Sequence, residues 1–281
     1  MRACAAEELS KRITLRSPWN RARNYYRRNA TRFLFTRPLS IHVQVPIISF
    51  TFDDFPRSAL LTGGAILNQW GAVGTYYAAM GLIGQDSVSG PIFEAQDLST
   101  LLGQGHELGC HTYFHSHSWN TDGQAFETSI LENRKALQKL VPGAEFKSLS
   151  YPISEPRPMV KRRAVKYFEC CRAGGQALNV GTVDLNQLSA FFLEKTRDDI
   201  RPVKEIIDRN RESRGWLILA THDVVHEPSP YGCTPEFFAE VVKYAANSGA
   251  QVLPVMKALE AIRGGGAAPG LGQAVSRTSV G

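Results

Sequence analysis

The chain has 281 residues, a formal charge of +6, and 43% hydrophobic, 10% aromatic and 21% charged residues, which supports a packed core and excludes bulk disorder, a collagen-like rod and a disulfide-stapled miniprotein. No apolar run approaches the ~20 residues of a membrane-spanning helix, and the opening MRACAAEELSKRITLRS has no apolar stretch of signal-peptide type. Five cysteines, Cys4, Cys110, Cys170, Cys171 and Cys233, are odd in number and follow no metal-finger spacing, so the expectation is a cytoplasmic protein with free thiols.

In chain order, the first feature is charge. Residues 1–40 hold ten Lys or Arg against Glu7 and Glu8 alone, so the basicity belongs to an N-terminal arm and the remaining chain is net acidic. A basic nucleic-acid-binding body is excluded, and no specific nucleic acid is expected as a partner. Within the arm, RNYYRRNATRFLF interleaves basic and aromatic residues. It suits a helical arm packed by its aromatics across the body, or a helix in weak contact with an anionic membrane or RNA. The domain proper is expected at 41–264. The Gly-rich stretch 265–281 has no periodicity and is expected to be a disordered tail.

Strand-length apolar segments recur at 46–52, 73–79, 106–110, 146–150, 188–194, 216–221 and 250–255. Helical spacing or composition occupies 58–71, 123–140, 156–168, 197–214, 235–248 and 256–262. Thr234 followed by Pro235 is an N-cap with proline at the first helical position. Such alternation predicts an α/β fold of parallel strands joined by right-handed crossovers, with working residues at the strand C-termini. Four strand ends carry polar chemistry: Asp53-Asp54, His111 with His115, Tyr151-Pro152, and His222-Asp223.

In His111-Thr112-Tyr113-Phe114-His115, four-residue spacing on a helical turn would bring two imidazoles together, and a distant carboxylate would complete a three-ligand site. His117 and Cys110 are nearby rivals, read as a supporting histidine and a buried thiol. Adjacent strand residues face opposite sides, so Asp53 and Asp54 are expected to do different work; an Asx turn or helix cap is the plainer alternative. His222 ends an apolar strand and suits proton transfer, or a structural turn. His42, His106 and His226 are read as structural.

Taken together, Thr51-Phe52-Asp53-Asp54, then Gly109-Cys110-His111-Thr112-Tyr113-Phe114-His115, then Tyr151-Pro152, then a strand ending His222-Asp223 resemble the polysaccharide deacetylase family, metal-dependent carbohydrate esterases that include the rhizobial nodulation-factor deacetylases. The likeness spans roughly residues 46–262. It implies a distorted (β/α) barrel of about seven parallel strands with helices outside. Carried over residue by residue, it implies Asp54, His111 and His115 as ligands of a divalent metal, most plausibly Zn²⁺, with Asp53 as general base and His222 as general acid. Tyr151, Pro152 and Ile153 would supply the oxyanion and substrate contacts, with a backbone N–H from this stretch holding the oxyanion. The implied reaction removes an N-acetyl or other N-acyl group from an amino sugar or N-acetylglucosamine oligosaccharide.

The chain departs from the family at several points. Phe55 replaces the usual glycine and would narrow or reshape the rim. Ser150 and Ile153 stand where many members have Arg and Tyr, which removes the usual charged tether of the base. Arg172, after YFECC, is the candidate replacement, against the reading of a solvated surface arginine. Asp184 is the nearest match to the family's aspartate-tryptophan motif, and Ala220 would widen the acyl pocket. These departures keep two alternatives open: an amidohydrolase of a small amide or cyclic ureide on the same fold, and a catalytically impaired carbohydrate-binding relative.

Overall fold

The computed structural model describes residues 30–153 and 155–264. Residues 1–29 of the expected arm and the expected tail at 265–281 lie outside them. The strands are β1 (Pro38–Ile41), β2 (Ile47–Phe52), β3 (Thr75–Ala78), β4 (Asp86–Ser87), β5 (Gly90–Pro91), β6 (Glu107–Cys110), β7 (Ser148–Ser150), β8 (Cys170–Arg172), β9 (Gly181–Asp184), β10 (Phe191–Phe192), β11 (Trp216–Thr221) and β12 (Gln251–Val252). The helices are α1 (Ala65–Gln69), α2 (Ala95–Gly103), α3 (Gly123–Leu140), α4 (Pro158–Ala164), α5 (Ile200–Ser213), α6 (Pro235–Asn247) and α7 (Val255–Arg263).

Seven strands run parallel in the order β10-β11-β2-β3-β6-β7-β8. β12 takes the start of β2, pairing Gln251 with Ile47, while β3 takes its end, pairing Thr51 with Thr75. Beyond β8 the ribbon turns back on itself: Arg172 bridges Leu188, just ahead of β10, and the Ala173 N–H donates to the Leu188 carbonyl. The result is the expected distorted barrel with helices around it.

Strand alternation divides the core in two. Ile48, Phe50 and Phe52 of β2 pack against helices, with Phe50 edge-on to Phe238 of α6 at 5.7 Å between centroids. Ile47, Ser49 and Thr51 face the barrel interior, where Trp216 Nε1 donates to Ser49 Oγ at 2.9 Å. Val255, Met256, Leu259 and Ile262 of α7 join the cluster that contains Ile47, Trp216 and Ile218. Asp53, Ser150, Arg172 and His222 occupy the same alternate positions on their chains as these inward residues.

Several elements depart from expectation. The 188–194 segment pairs only at Phe191–Phe192, and Leu193–Thr196 forms a 3₁₀ turn. The 250–255 segment pairs only at Gln251–Val252, because Pro254 opens α7. Strand β8, helix α2 and the antiparallel pair β1–β9 were not anticipated. Residues 30–41 lie against the body through that pair. No helix among the described residues is long and apolar enough to cross a membrane.

Candidate active site

The strand ends converge on a cavity of about 630 Å³ lined by Asp53, Asp54, His111, His115, Tyr151, Ile153 and His222 among others. Asp53 extends β2, its N–H donating to the Thr221 carbonyl at 2.9 Å. The backbone then turns left-handed, with Asp54 at φ 60° and Phe55 at φ 54°. This turn swings the Asp54 carboxylate toward the histidines. It also explains why glycine suits the position after the paired aspartates.

The histidine segment is a loop, not the helical turn that the spacing suggested. Thr112 and His115 are both left-handed, at φ 60° and 50°, and these two bends bring the rings to 5.0 Å. The loop is braced by α3: Ser129 accepts the Tyr113 N–H at both its carbonyl (3.1 Å) and its hydroxyl (3.0 Å). Thr112 Oγ1 accepts the Ser116 N–H at 2.7 Å, the bracing role its hydroxyl suits.

Asp54 Oδ1 lies 3.4 Å from His111 Nε2 and 3.3 Å from His115 Nε2. It is buried, yet has no hydrogen-bond partner. His111 Nδ1 lies 2.9 Å from the Ser150 carbonyl, which can only accept, so the ring proton sits on Nδ1 and Nε2 presents a lone pair. Burial pushes this imidazole down to about 4, with His115 and Arg172 adding to that and Asp53 and Asp54 opposing it. A neutral imidazole and an orphaned carboxylate oxygen therefore converge with no proton between them, an arrangement that fits a cation. Among the described residues this is the one metal-ligand group, its donor atoms within 4.8 Å of one another. His117 instead accepts the Trp119 N–H at Nδ1 (3.2 Å), and Cys110 Sγ accepts from Asn133 Nδ2 at 3.2 Å. His106 accepts the Gly74 N–H at 3.0 Å, in keeping with its structural reading.

Beside the cluster, Asp53 is buried against Arg172 of β8, whose Nη2 donates to both Asp53 Oδ1 and Ser150 Oγ. Arg172 is only 2% exposed, and its guanidinium lies 5.1 Å from the Tyr77 ring centre and 5.4 Å from that of Phe192. The solvated-arginine reading is thereby overturned. Burial would raise the Asp53 pKa, but Arg172, His111 and His222 outweigh it and hold the carboxyl well below its usual range.

Opposite, His222 Nδ1 lies 3.2 Å from the Tyr231 carbonyl, leaving Nε2 free of that bond, and Tyr231 tilts over the ring at 5.4 Å. Asp223 instead holds a turn, accepting from Ser229 N (2.8 Å) and Oγ (2.6 Å). Tyr151 N–H is spent on the Arg172 carbonyl at 2.9 Å, and proline has none. Of the three residues implied for the oxyanion, only Ile153 retains an N–H with no partner among the described residues; it is left-handed at φ 72°.

Three expectations need correction. Phe55 does not narrow the rim: it is fully buried, stacked on Phe93 at 4.6 Å. Asp184 lies in β9 and pairs with Lys161 at 2.6 Å, away from the cavity. Ala220 is buried in β11 within the inner apolar cluster. Glu194 was missed. It follows β10 in the 3₁₀ turn Leu193–Thr196 and lines the cavity together with His222. Burial pushes its carboxyl up to about 7, with His222 and Lys195 pulling it back. Its position ending an apolar run, as Asp53 ends another, was the available signal.

Comparison with known proteins agrees with this arrangement. No curated protein matches the chain. Among solved structures, a family 4 acetyl xylan esterase from Clostridium thermocellum, in complex with a cobalt ion, aligns at TM-score 0.55 and 21% identity over 76% of this chain and 90% of that one. A family 4 carbohydrate esterase from Streptomyces lividans, in complex with acetate, aligns at TM-score 0.52 and 17% identity over 74% and 91%. A mutant of BA3943, described as a CE4 family pseudoenzyme with restored enzymatic activity, aligns at TM-score 0.54 and 12% identity over 77% and 68%. At these identities the likeness is one of fold. The sequence model for "Polysaccharide deacetylase" matches residues 42–169, the stretch that carries Asp53, Asp54, His111 and His115, so over that stretch the chain is similar to the polysaccharide deacetylase family.

Proposed function

We propose that this chain is a metal-dependent hydrolase that removes an N-acetyl or other N-acyl group from an amino sugar or N-acetylglucosamine oligosaccharide. One observation carries the reading: a carboxylate clamped by a buried arginine stands beside an Asp-His-His cluster at the floor of a cavity of about 630 Å³. Asp54, His111 and His115 would hold a divalent cation, and two imidazoles with one carboxylate suit Zn²⁺. When bound, it supplies a positive charge that acidifies water and polarises the acyl carbonyl.

The chain's own residues do the rest. Asp53, kept ionised by Arg172, accepts the proton of the water whose oxygen bonds to the acyl carbon. The Ile153 N–H donates to the oxygen that gains negative charge. His222 gives a proton to the departing nitrogen as the carbon–nitrogen bond breaks, releasing free amine and carboxylate. Phe55, buried beneath the rim, gives the small-amide reading no support. Arg172, in contact with Asp53, restores the tether whose loss would favour an impaired carbohydrate-binding relative.

The experiment is acetate release from chitooligosaccharides by the metal-loaded protein and by Asp53→Asn. The variant should retain its metal and lose at least about a hundredfold in rate. Equal rates would reject Asp53 as the base.

A further inference from the structure

A second surface stands apart from the cavity. Phe33, Leu34 and Phe35 are consecutive and exposed, at 81%, 43% and 39%. Scattered single apolar residues are ordinary on a protein surface, whereas three in a row mark a contact. The stretch is held from both sides: Lys161 Nζ donates to the Thr31 carbonyl at 2.7 Å, and Asn186 Nδ2 donates to that of Phe35 at 2.6 Å. The side chains are thus presented by a fixed backbone. Cations surround them. Arg32 and Arg162 are exposed, and the Arg162 guanidinium lies 5.6 Å from the Phe35 ring centre. The sequence before residue 30 is itself basic, with eight Lys or Arg against Glu7 and Glu8.

We propose that the Phe33–Phe35 segment, with Arg32 and Arg162, is a docking surface for an anionic lipid bilayer. Apolar side chains flanked by cations match a membrane interface, where acyl chains lie just beneath anionic headgroups. A second copy of the chain would set the same cations against one another, and a nucleic acid could stack bases on the two rings but offers no apolar layer to bury Leu34 beside them. Of the two sequence readings of the arm, the aromatics of this stretch do not follow the one that packs them across the body. The proposal is independent of the hydrolase reading and needs neither metal nor substrate.

The test is cosedimentation of the full chain with vesicles of phosphatidylcholine alone or phosphatidylcholine with phosphatidylserine, at low and high salt. The protein should partition onto the anionic vesicles and be released as salt rises. The Phe33→Ser/Leu34→Ser double variant should bind about tenfold more weakly with an unchanged melting temperature. Leu61→Ser, at another exposed apolar site (58% exposed), should bind as the parent does. Absence of binding to anionic vesicles, equal binding by the double variant, or a parent dimer that the double variant loses would overturn the proposal.

Discussion

Ser150 and Arg172 are direct partners across the parallel pair β7–β8. Ser150 stands where many family members carry the arginine that tethers the base. Its short side chain leaves space for a guanidinium arriving from the next strand, and its hydroxyl accepts from that guanidinium at 2.7 Å. The charge beside Asp53 is kept while the residue that bears it moves one strand over. Because Asp53 and Arg172 are both buried, removing one partner strands the other. Arg172→Met should cost about 3–5 kcal/mol, seen as a fall in the urea midpoint. A Ser150→Arg/Arg172→Ser exchange should recover part of that loss if the tether is positional; no recovery would mean that Arg172 acts mainly by filling space. The paired aspartates, the two histidines and His222 were legible because polar residues end apolar strands. The Arg172 contact stayed ambiguous because YFECC did not read as a strand, and Glu194 was missed, although it too closes an apolar run, because that run was read as strand to its last residue whereas Leu193–Thr196 is a 3₁₀ turn.

Among the elements, β6 does two jobs. Its C-terminal end delivers His111. At its start, Glu107 Oε2 accepts the Met256 N–H at 2.8 Å, at the first turn of α7. Helix α7 has no side-chain cap of its own after Pro254, so a carboxylate from the sheet serves an N–H that would otherwise be orphaned. Burial pushes the Glu107 carboxyl up to about 7, partly opposed by that bond and by hydroxyls. The sign follows from linkage. The unfolded chain ionises this group near the ordinary glutamate value of 4.5 and the folded chain only near 7, so stability is lost as pH rises across that window. Relative to the parent, Glu107→Gln should be neutral near pH 4 and up to about 3 kcal/mol more stable near pH 8, read from denaturant midpoints across pH. A difference that does not vary with pH would show that Glu107 ionises alike in both states. The long elements were readable: Gly123–Leu140 and Trp216–Thr221 fall where periodicity put them. The short ones, β8, β10 and β12, draw their identity from neighbours rather than from their own two or three residues.

Across the whole molecule, residues 30–41 act as a strap, which composition alone assigned to an arm. Lys161 is fully buried and pairs with Asp184 at 2.6 Å while donating to Thr31. Arg37 donates to the Phe168 and Glu169 carbonyls, its backbone N–H donates to Asp184 Oδ1, and β1 pairs with β9. Lys161→Met should leave Asp184 without its lysine partner and loosen the strap, with faster hydrogen exchange at residues 37–41 and a stability loss of about 3 kcal/mol. Unchanged exchange there would show that the β1–β9 ladder suffices. The barrel and the strand-end convergence followed from alternating strands and helices, while strap and closure depend on long-range contacts that local pattern does not carry.

The central claim is that Asp54, His111 and His115 grip one cation beside Asp53. Metal analysis of protein purified without chelator, alongside Asp54→Ala and His111→Ala, tests it before any substrate is chosen. The account predicts one divalent ion per parent chain and loss of that ion from both variants with the fold intact; a metal-free parent that takes up no zinc on titration, or variants that bind it equally well, would contradict it.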